Sequence, residues 1–346
     1  MFNKRLISAR KMAGLSLEQL AKKMGGITKQ ALNNYEKGKR EPDTKIIIAL
    51  SKALNIRPEY FFRKEELRIG EFEYRKRAKL GVKDKGRIEE IVKNKISKYL
   101  EIETLLGVEK KWKNPIGKYV IKSFEDVEEV AQVLRKKWEL GSNAIPNLID
   151  TLEEYGAKII FVDVDENFDG LATYANGTPI IILNNKIKDN ARLRFTLMHE
   201  FAHLLLDLDL IDDKKEREKY CHYFAGAFLA PKEKLIKEFG SVSRRRIALS
   251  ELIAIKEEYG ISMQALAKRL HSLGIISDAS YRRFNILVNK NKWRINEPGE
   301  YKGEIKSERF KNLVYRAIAE AIISLSKAAS LLDVSVANLE KQVKLI

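Results

Sequence analysis

The stretch Met198 to Leu206, MHEFAHLLL, constrains this chain more than any other. Only four histidines occur in 346 residues, and two of them, His199 and His203, stand four apart with Glu200 directly after the first. Residues four apart on an α-helix share a face. The flanks Phe195, Leu197, Phe201 and Leu204 to Leu206 are apolar, so the helix is buried. A buried face bearing a carboxylate and two imidazoles needs a compensating partner. A shared metal ion meets that need, and two ordinary core histidines do not.

The spacing is the HExxH pattern of zinc metallopeptidases, with Glu200 as general base. At this histidine frequency an accidental match is expected on the order of a few times in a thousand such chains. Zinc in hydrolases takes three protein ligands and a water, so a third ligand is needed beyond His199 and His203. The segment EKYCHYFA offers Glu218 and His222, again four apart on one helical face, with Cys221 on another. Manganese or iron suits the same donors.

The segments before the motif set its frame. Val127 to Leu140 and Ala144 to Tyr155 read as helices ended by Gly141 and Gly156. Ala157 to Val164, Leu171 to Ala175 and Pro179 to Leu183 read as strands, with Asn176-Gly177 as a hairpin turn. Arg192 opens the HExxH helix. A small sheet running into that helix makes an α+β domain. Either of the last two strands is expected to pair with a substrate backbone.

RFTLMHEFAHLLLD followed by EKYCHYFAGAFLAP resembles the ImmA/IrrE metallopeptidases, and WELGSNAIPNLIDTLEEYGAKI and FDGLATY fit the same family. The resemblance covers about residues 115–290. It implies a zincin-like domain that cleaves proteins, with Glu218 as third ligand and Cys221 at a small buried position. His222 falls where many members carry Asn or Asp, and it is kept as an alternate third ligand. The mechanism implied is a zinc-activated water whose proton passes through Glu200 to the leaving amine.

The first sixty residues follow a different grammar. A helix from Leu6 stops at Gly14; Ser16 caps Leu17 to Met24; Gly25-Gly26 turns; Thr28 caps Lys29 to Lys37; Pro42 breaks the chain before Ile46 to Leu54. GLSLEQLAKKMGGITKQALNNYEKGKREPD with IIIALSKALNI resembles the Xre/Cro repressors over about residues 1–62. That resemblance implies five packed helices, with the third in the DNA major groove and a homodimer on paired half-sites. Lys29, Gln30, Asn33 and Asn34 are then placed for bases, and Ser16, Lys37, Lys39 and Arg40 for phosphates.

Charge agrees with that partner. The formal net charge is +17, and residues 1–64 hold 15 Lys and Arg against 5 Asp and Glu. Such a concentration suits double-stranded DNA. One cysteine excludes an internal disulfide and suits a reducing compartment. With no signal-like run in MFNKRLISARKM and no long apolar segment, no membrane is expected, and the cytoplasm is.

Residues 63–114 read as a basic helical linker with a stripe Ile88, Ile91, Ile96, Leu100 and Leu105-Leu106. Its lysines and Arg75 to Arg77 could also touch phosphates. Gly260 to Leu270 and Ile323 to Leu332 echo Gly14 to Met24 and look like first halves of helix-turn-helix pairs, read as packing units, with His271 a surface or packing histidine. The expected architecture is therefore multidomain. An all-α helix-turn-helix domain (1–62) and the linker precede the α+β metallopeptidase domain (115–290) and a helical C-terminal region (291–346). The expected function is a DNA-binding regulator that cleaves a repressor or a toxin or antitoxin partner. The alternative is a non-proteolytic repressor or antitoxin whose second domain acts as a sensor.

Overall fold

The structure is a computed structural model that describes residues 1–62, 81–164, 168–294 and 296–343. In chain order it runs α1 (Phe2–Met12), α2 (Leu17–Met24), α3 (Lys29–Glu36), α4 (Thr44–Leu54), a 3-10 turn (Pro58–Phe62) and α5 (Val82–Leu106). Then follow α6 (Phe124–Lys137), α7 (Leu148–Glu154), β1 (Lys158–Val162), β2 (Gly170–Ala175), β3 (Thr178–Asn184), α8 (Asn190–Leu205) and α9 (Lys214–Leu229). The remainder is α10 (Lys232–Phe239), α11 (Leu249–Tyr259), α12 (Met263–Ser272), α13 (Asp278–Lys290), α14 (Arg309–Ala319), α15 (Leu325–Leu331) and α16 (Val336–Gln342). Among the described residues no helix is long and apolar enough to cross a membrane.

Contacts divide the chain into two compact units. One comprises Met1–Lys110, Tyr174–Asn176 and Glu308–Ile346; the other comprises Lys111–Thr173 and Gly177–Ser307.

In the first unit, short polar caps set where the helices begin. The Ser16 hydroxyl accepts from Gln19 N at 3.1 Å while Ser16 N donates to Gln19 Oε1 at 2.8 Å, a complete capping box. Gly25 and Gly26 take φ of 62° and 72°, which glycine alone adopts cheaply, and the chain turns into α3. Leu6, Leu20, Leu32, Leu50 and Phe61 close the core without exposed surface. The Arg10 guanidinium donates twice to Glu36, at 2.6 and 2.9 Å, and ties α1 to α3.

The helix α5 belongs to this unit and packs on α1 and α14. Its buried seam is Ile88, Val92, Ile96, Tyr99 and Ile102. The stripe expected from sequence is corrected: Ile91 and Leu100 are half-buried and Leu105 is 43% exposed. On this helix α14 packs with its Phe310 ring stacked on Tyr99 at 5.4 Å, so the buried seam runs through Tyr99 rather than Leu100. Lys98 is buried against Asp333, and Arg309 bonds Glu103 at 3.0 Å. Arg57 donates to Val334 O at 2.6 Å, which fixes the turn before α16. Arg75 to Arg77 lie outside the described residues.

The sheet has the order β1-β3-β2 and belongs to the second unit except for the last two residues of β2. β1 and β3 are parallel, with Lys158 opposite Ile180 and Ile160 opposite Ile182. The two-residue turn Asn176-Gly177 makes β2 and β3 antiparallel. β3 is therefore central, which corrects its candidacy as a substrate-pairing strand; only β2, of the two, has an outer edge. α7 begins at Leu148 rather than Ala144, because Asn147 accepts from Asp150 N and Pro146 disfavours helix in the residue before it. α6 begins earlier than expected, at Phe124, behind a capping box between Ser123 and Asp126. The core wraps α8: Leu197, Met198, Phe201 and Ala202 are fully buried. Phe201 meets the rings of Trp112, Trp138 and Phe224.

Candidate metal centre and nucleic-acid interface

Asp189 caps α8, accepting from Ala191 N and Arg192 N, and Asp213 caps α9. The two helices pack side by side, and that contact places the histidines of one against the glutamate of the other. His199 Nε2 lies 3.1 Å from His203 Nε2 and 3.2 Å from Glu218 Oε2. His203 Nε2 lies 3.4 Å from Glu218 Oε1. A tetrahedral ion with bonds of about 2.0–2.1 Å separates its ligands by roughly 3.3–3.4 Å. The two imidazole nitrogens stand at such a spacing, each with a different oxygen of the Glu218 carboxylate at a similar distance, and one ligand atom from each of the three residues lies within 4.8 Å of the others; imidazole nitrogen and carboxylate oxygen are donors that a zinc-sized cation takes.

The three groups are electrostatically coupled. Burial opposes ionisation of Glu218, but hydrogen bonds from His199 and His203 outweigh it and hold the carboxyl well below the usual range. Burial lowers His203, yet its bonds to Cys221 and Glu218 push it up to about 10. Both shifts express one pairing, in which the ionised Glu218 carboxylate faces the imidazole of His203. His199 is fully buried, Glu200 is 2% exposed, and the Glu218 side chain is 39% exposed. The centre is thus walled by α8 and open beside α9.

The group of ligand atoms lying within 4.8 Å of one another contains Glu218 and not His222. His222 is exposed; its ring lies 4.2 Å from that of His199 and 5.8 Å from Phe195. Two features were missed from sequence. Cys221 is buried, as expected, but its Sγ lies 3.5 Å from His203 Nδ1, the nitrogen facing away from the triangle. Gly170, which opens β2, lets that strand lie against α8. A Cβ there would meet Ile182 O at 3.0 Å, Thr196 Cγ2 at 3.0 Å and Glu200 Cγ at 3.2 Å. Arg192 pairs with the adjoining Asp169 at 2.6 Å. The Cys221 contact left no trace in the sequence, while the Asp-Gly pair before a strand was the one available signal for Gly170.

The candidate DNA residues lie on α2, α3 and the turn after α3. Lys29, Gln30, Lys37, Lys39, Arg40 and Ser16 are exposed, and Asn33 and Asn34 are half-buried. Leu32, Tyr35 and Glu36 face the core. Lys29 stands 3.9 Å from Glu18, both well exposed. The later pair, α15 and α16, repeats the caps, with Ser324 and Ser335 in the places of Ser16 and Thr28. Counted from those caps, Val336, Ala337 and Glu340 stand where α3 has Lys29, Gln30 and Asn33, which suits packing rather than phosphate contact.

An all-α unit with a helix-turn-helix, and an α+β unit whose two helices converge on a His-His-Glu triangle, define a regulator-type DNA-binding module joined to a metallopeptidase-like domain. Comparison with known families agrees. Residues 6–61 match the helix-turn-helix family, and residues 152–271 match the IrrE N-terminal-like domain of peptidase family M78. The two matches fall on separate segments of one chain. No curated protein gives a match to it.

Proposed function

We propose that this protein is a transcriptional regulator that binds an operator through residues 1–62 and cleaves a partner protein with a zinc-dependent endopeptidase site. The observation that carries the proteolytic half is the His199–His203–Glu218 triangle, with edges of 3.1 to 3.4 Å. In this reading those three side chains hold zinc. Zinc so held supplies Lewis acidity to a substrate carbonyl and brings the pKa of water toward neutrality. Glu200 accepts the proton released by the attacking water and returns it to the departing amine. The close approach of Gly170 holds the Glu200 stem in place. Cys221 faces His203 Nδ1 and leaves Nε2 turned toward the ion. The substrate backbone lies along the outer edge of β2.

On DNA, Lys29, Gln30, Asn33 and Asn34 face bases while Ser16, Lys37, Lys39 and Arg40 hold phosphates, in a homodimer on paired half-sites. The substrate is an Xre-type repressor or a toxin or antitoxin partner, so that cleavage relieves repression. The test is incubation of the pure zinc-loaded chain with the products of neighbouring genes, beside a Glu200→Gln control. Cleavage by the wild type alone supports the reading; intact candidates under every trigger defeat it.

A further inference from the structure

The first turns of α5 sit against the corner where α1 passes into α2, and together they form an open concavity of about 510 Å³ lined by Arg10, Lys11, Gly14, Leu15, Lys83, Lys85, Gly86 and Glu89. The seating is specific. Arg87 Nε donates to Met12 O at 3.2 Å, and a Cβ on Gly14 would stand 3.5 Å from Arg87 Cδ. Arg10 is spent on Glu36 and Leu15 O, so it shapes the wall. Lys11 and Lys83 are exposed and Lys85 half-buried, giving three lysines against the single carboxylate of Glu89.

The location gives this charge its meaning. Leu15 is followed at once by Ser16, the cap of α2 and a proposed phosphate contact, so the concavity continues the edge of the helix-turn-helix. We propose that Lys11, Lys83 and Lys85 form a second phosphate-binding surface, which grips the backbone of duplex DNA flanking the site read by α3. This deepens the DNA-binding half of the proposed function and rests on it. A shallow, open, lysine-lined surface suits phosphates, because ammonium groups act there as mobile point charges that neutralise the backbone without reading bases. Such contacts add affinity uniformly over sequences and steepen the dependence on salt.

The experiment uses the full chain and a fluorescein-labelled, mixed-sequence duplex of about three helical turns, longer than one half-site. Dissociation constants are measured by anisotropy between about 50 and about 200 mM salt. The K11Q/K83Q/K85Q variant is compared with the wild type and with K186Q/K232Q/K237Q, which removes the same charge from exposed positions in the other unit. Circular dichroism confirms that each variant is folded. At about 0.9 per phosphate contact, the log–log salt slope of the first variant is expected to shrink by roughly two to three, while the control keeps the wild-type slope. Equal slopes for wild type and first variant, or equal losses in both variants, overturn the proposal. Undiminished DNA binding together with lost binding to polyglutamate would assign the surface to an acidic protein segment and also overturn it. A wild-type chain that binds no duplex at all would remove the DNA-binding reading itself.

Discussion

Gly170→Ala separates the duties of the site. The residue does not take the left-handed region, so the backbone tolerates alanine and the effect is steric. The added methyl meets one backbone oxygen and one methyl at 3.0 Å and the Glu200 stem at 3.2 Å. The Ile182 carbonyl belongs to the central strand and cannot give way, so β2 or α8 must shift by a few tenths of an ångström. Overpacking of this kind costs about 1–3 kcal/mol. The unit has roughly 190 residues, for which each kcal/mol moves the melting temperature by about 2–4 °C, so a fall of about 2–12 °C is expected. The three atoms nearest the added methyl belong to Ile182, Thr196 and Glu200 and to none of the triangle's three residues, so metal affinity should hold while turnover falls with the displaced Glu200. Calorimetric melting, metal titration and cleavage kinetics on one preparation give the three readouts. A melting temperature within a degree of wild type, with unchanged turnover, would refute the argument that this approach positions the base.

Other tests reach the remaining features. Zinc at about a hundredfold over its dissociation constant should stabilise the wild type by about 2.7 kcal/mol, a rise of roughly 5–11 °C, and His203→Ala and Glu218→Ala should each abolish that rise in a thermal melt. Without metal, the raised His203 contributes stability that is fully present below its ordinary value and lost as pH climbs through about 10. The depressed Glu218 contributes stability that is lost as pH falls below the ordinary carboxylate value. Chelated protein should therefore weaken at both extremes, and urea melts across pH check it. Arg269 is 2% exposed and donates to both oxygens of Glu128, at 2.5 and 2.7 Å. Glu128→Gln should cost about 3–5 kcal/mol by denaturant unfolding, whereas Glu128→Met with Arg269→Met should cost far less. Ser16→Ala removes the α2 capping box and should cost about 1 kcal/mol, visible in the melting of the first unit.

Features governed by spacing along one helix were legible in the sequence. His199, Glu200 and His203 follow from the 3.6-residue period, and the same period makes Glu218 a partner four residues before His222. That Glu218 rather than His222 lies within reach of both histidines depends on the packing of α8 against α9, which no spacing encodes; there the ring of His222 lies against that of His199. The helix-turn-helix was legible because its boundaries are chemical, with Ser16, Thr28 and the Gly25-Gly26 pair acting locally. Strand order was not legible. Leu171 to Ala175 and Pro179 to Leu183 both read as strands, but that β3 lies between β1 and β2 depends on a parallel crossover. The seam of α5 was misplaced because lysine stems blur the apolar period, and Lys98, one of the basic residues of the linker stretch, is buried against Asp333. Likewise the start of α7 was set by Asn147, a cap that a hydrophobic pattern does not register.

The pairing of α5 with α14 has a consequence for synthesis. Tyr99 and its neighbours on α5 are translated some two hundred residues before Phe310, the ring that stacks on Tyr99. While the intervening second unit is still being made on the ribosome, one flank of that helix stands bare, in the condition that draws chaperones or invites aggregation. A chain halted after Ser307 would hold every residue of the His-His-Glu triangle and the whole helix-turn-helix, yet would carry a sticky apolar strip, and poor solubility of such a fragment would trace to that strip rather than to either domain.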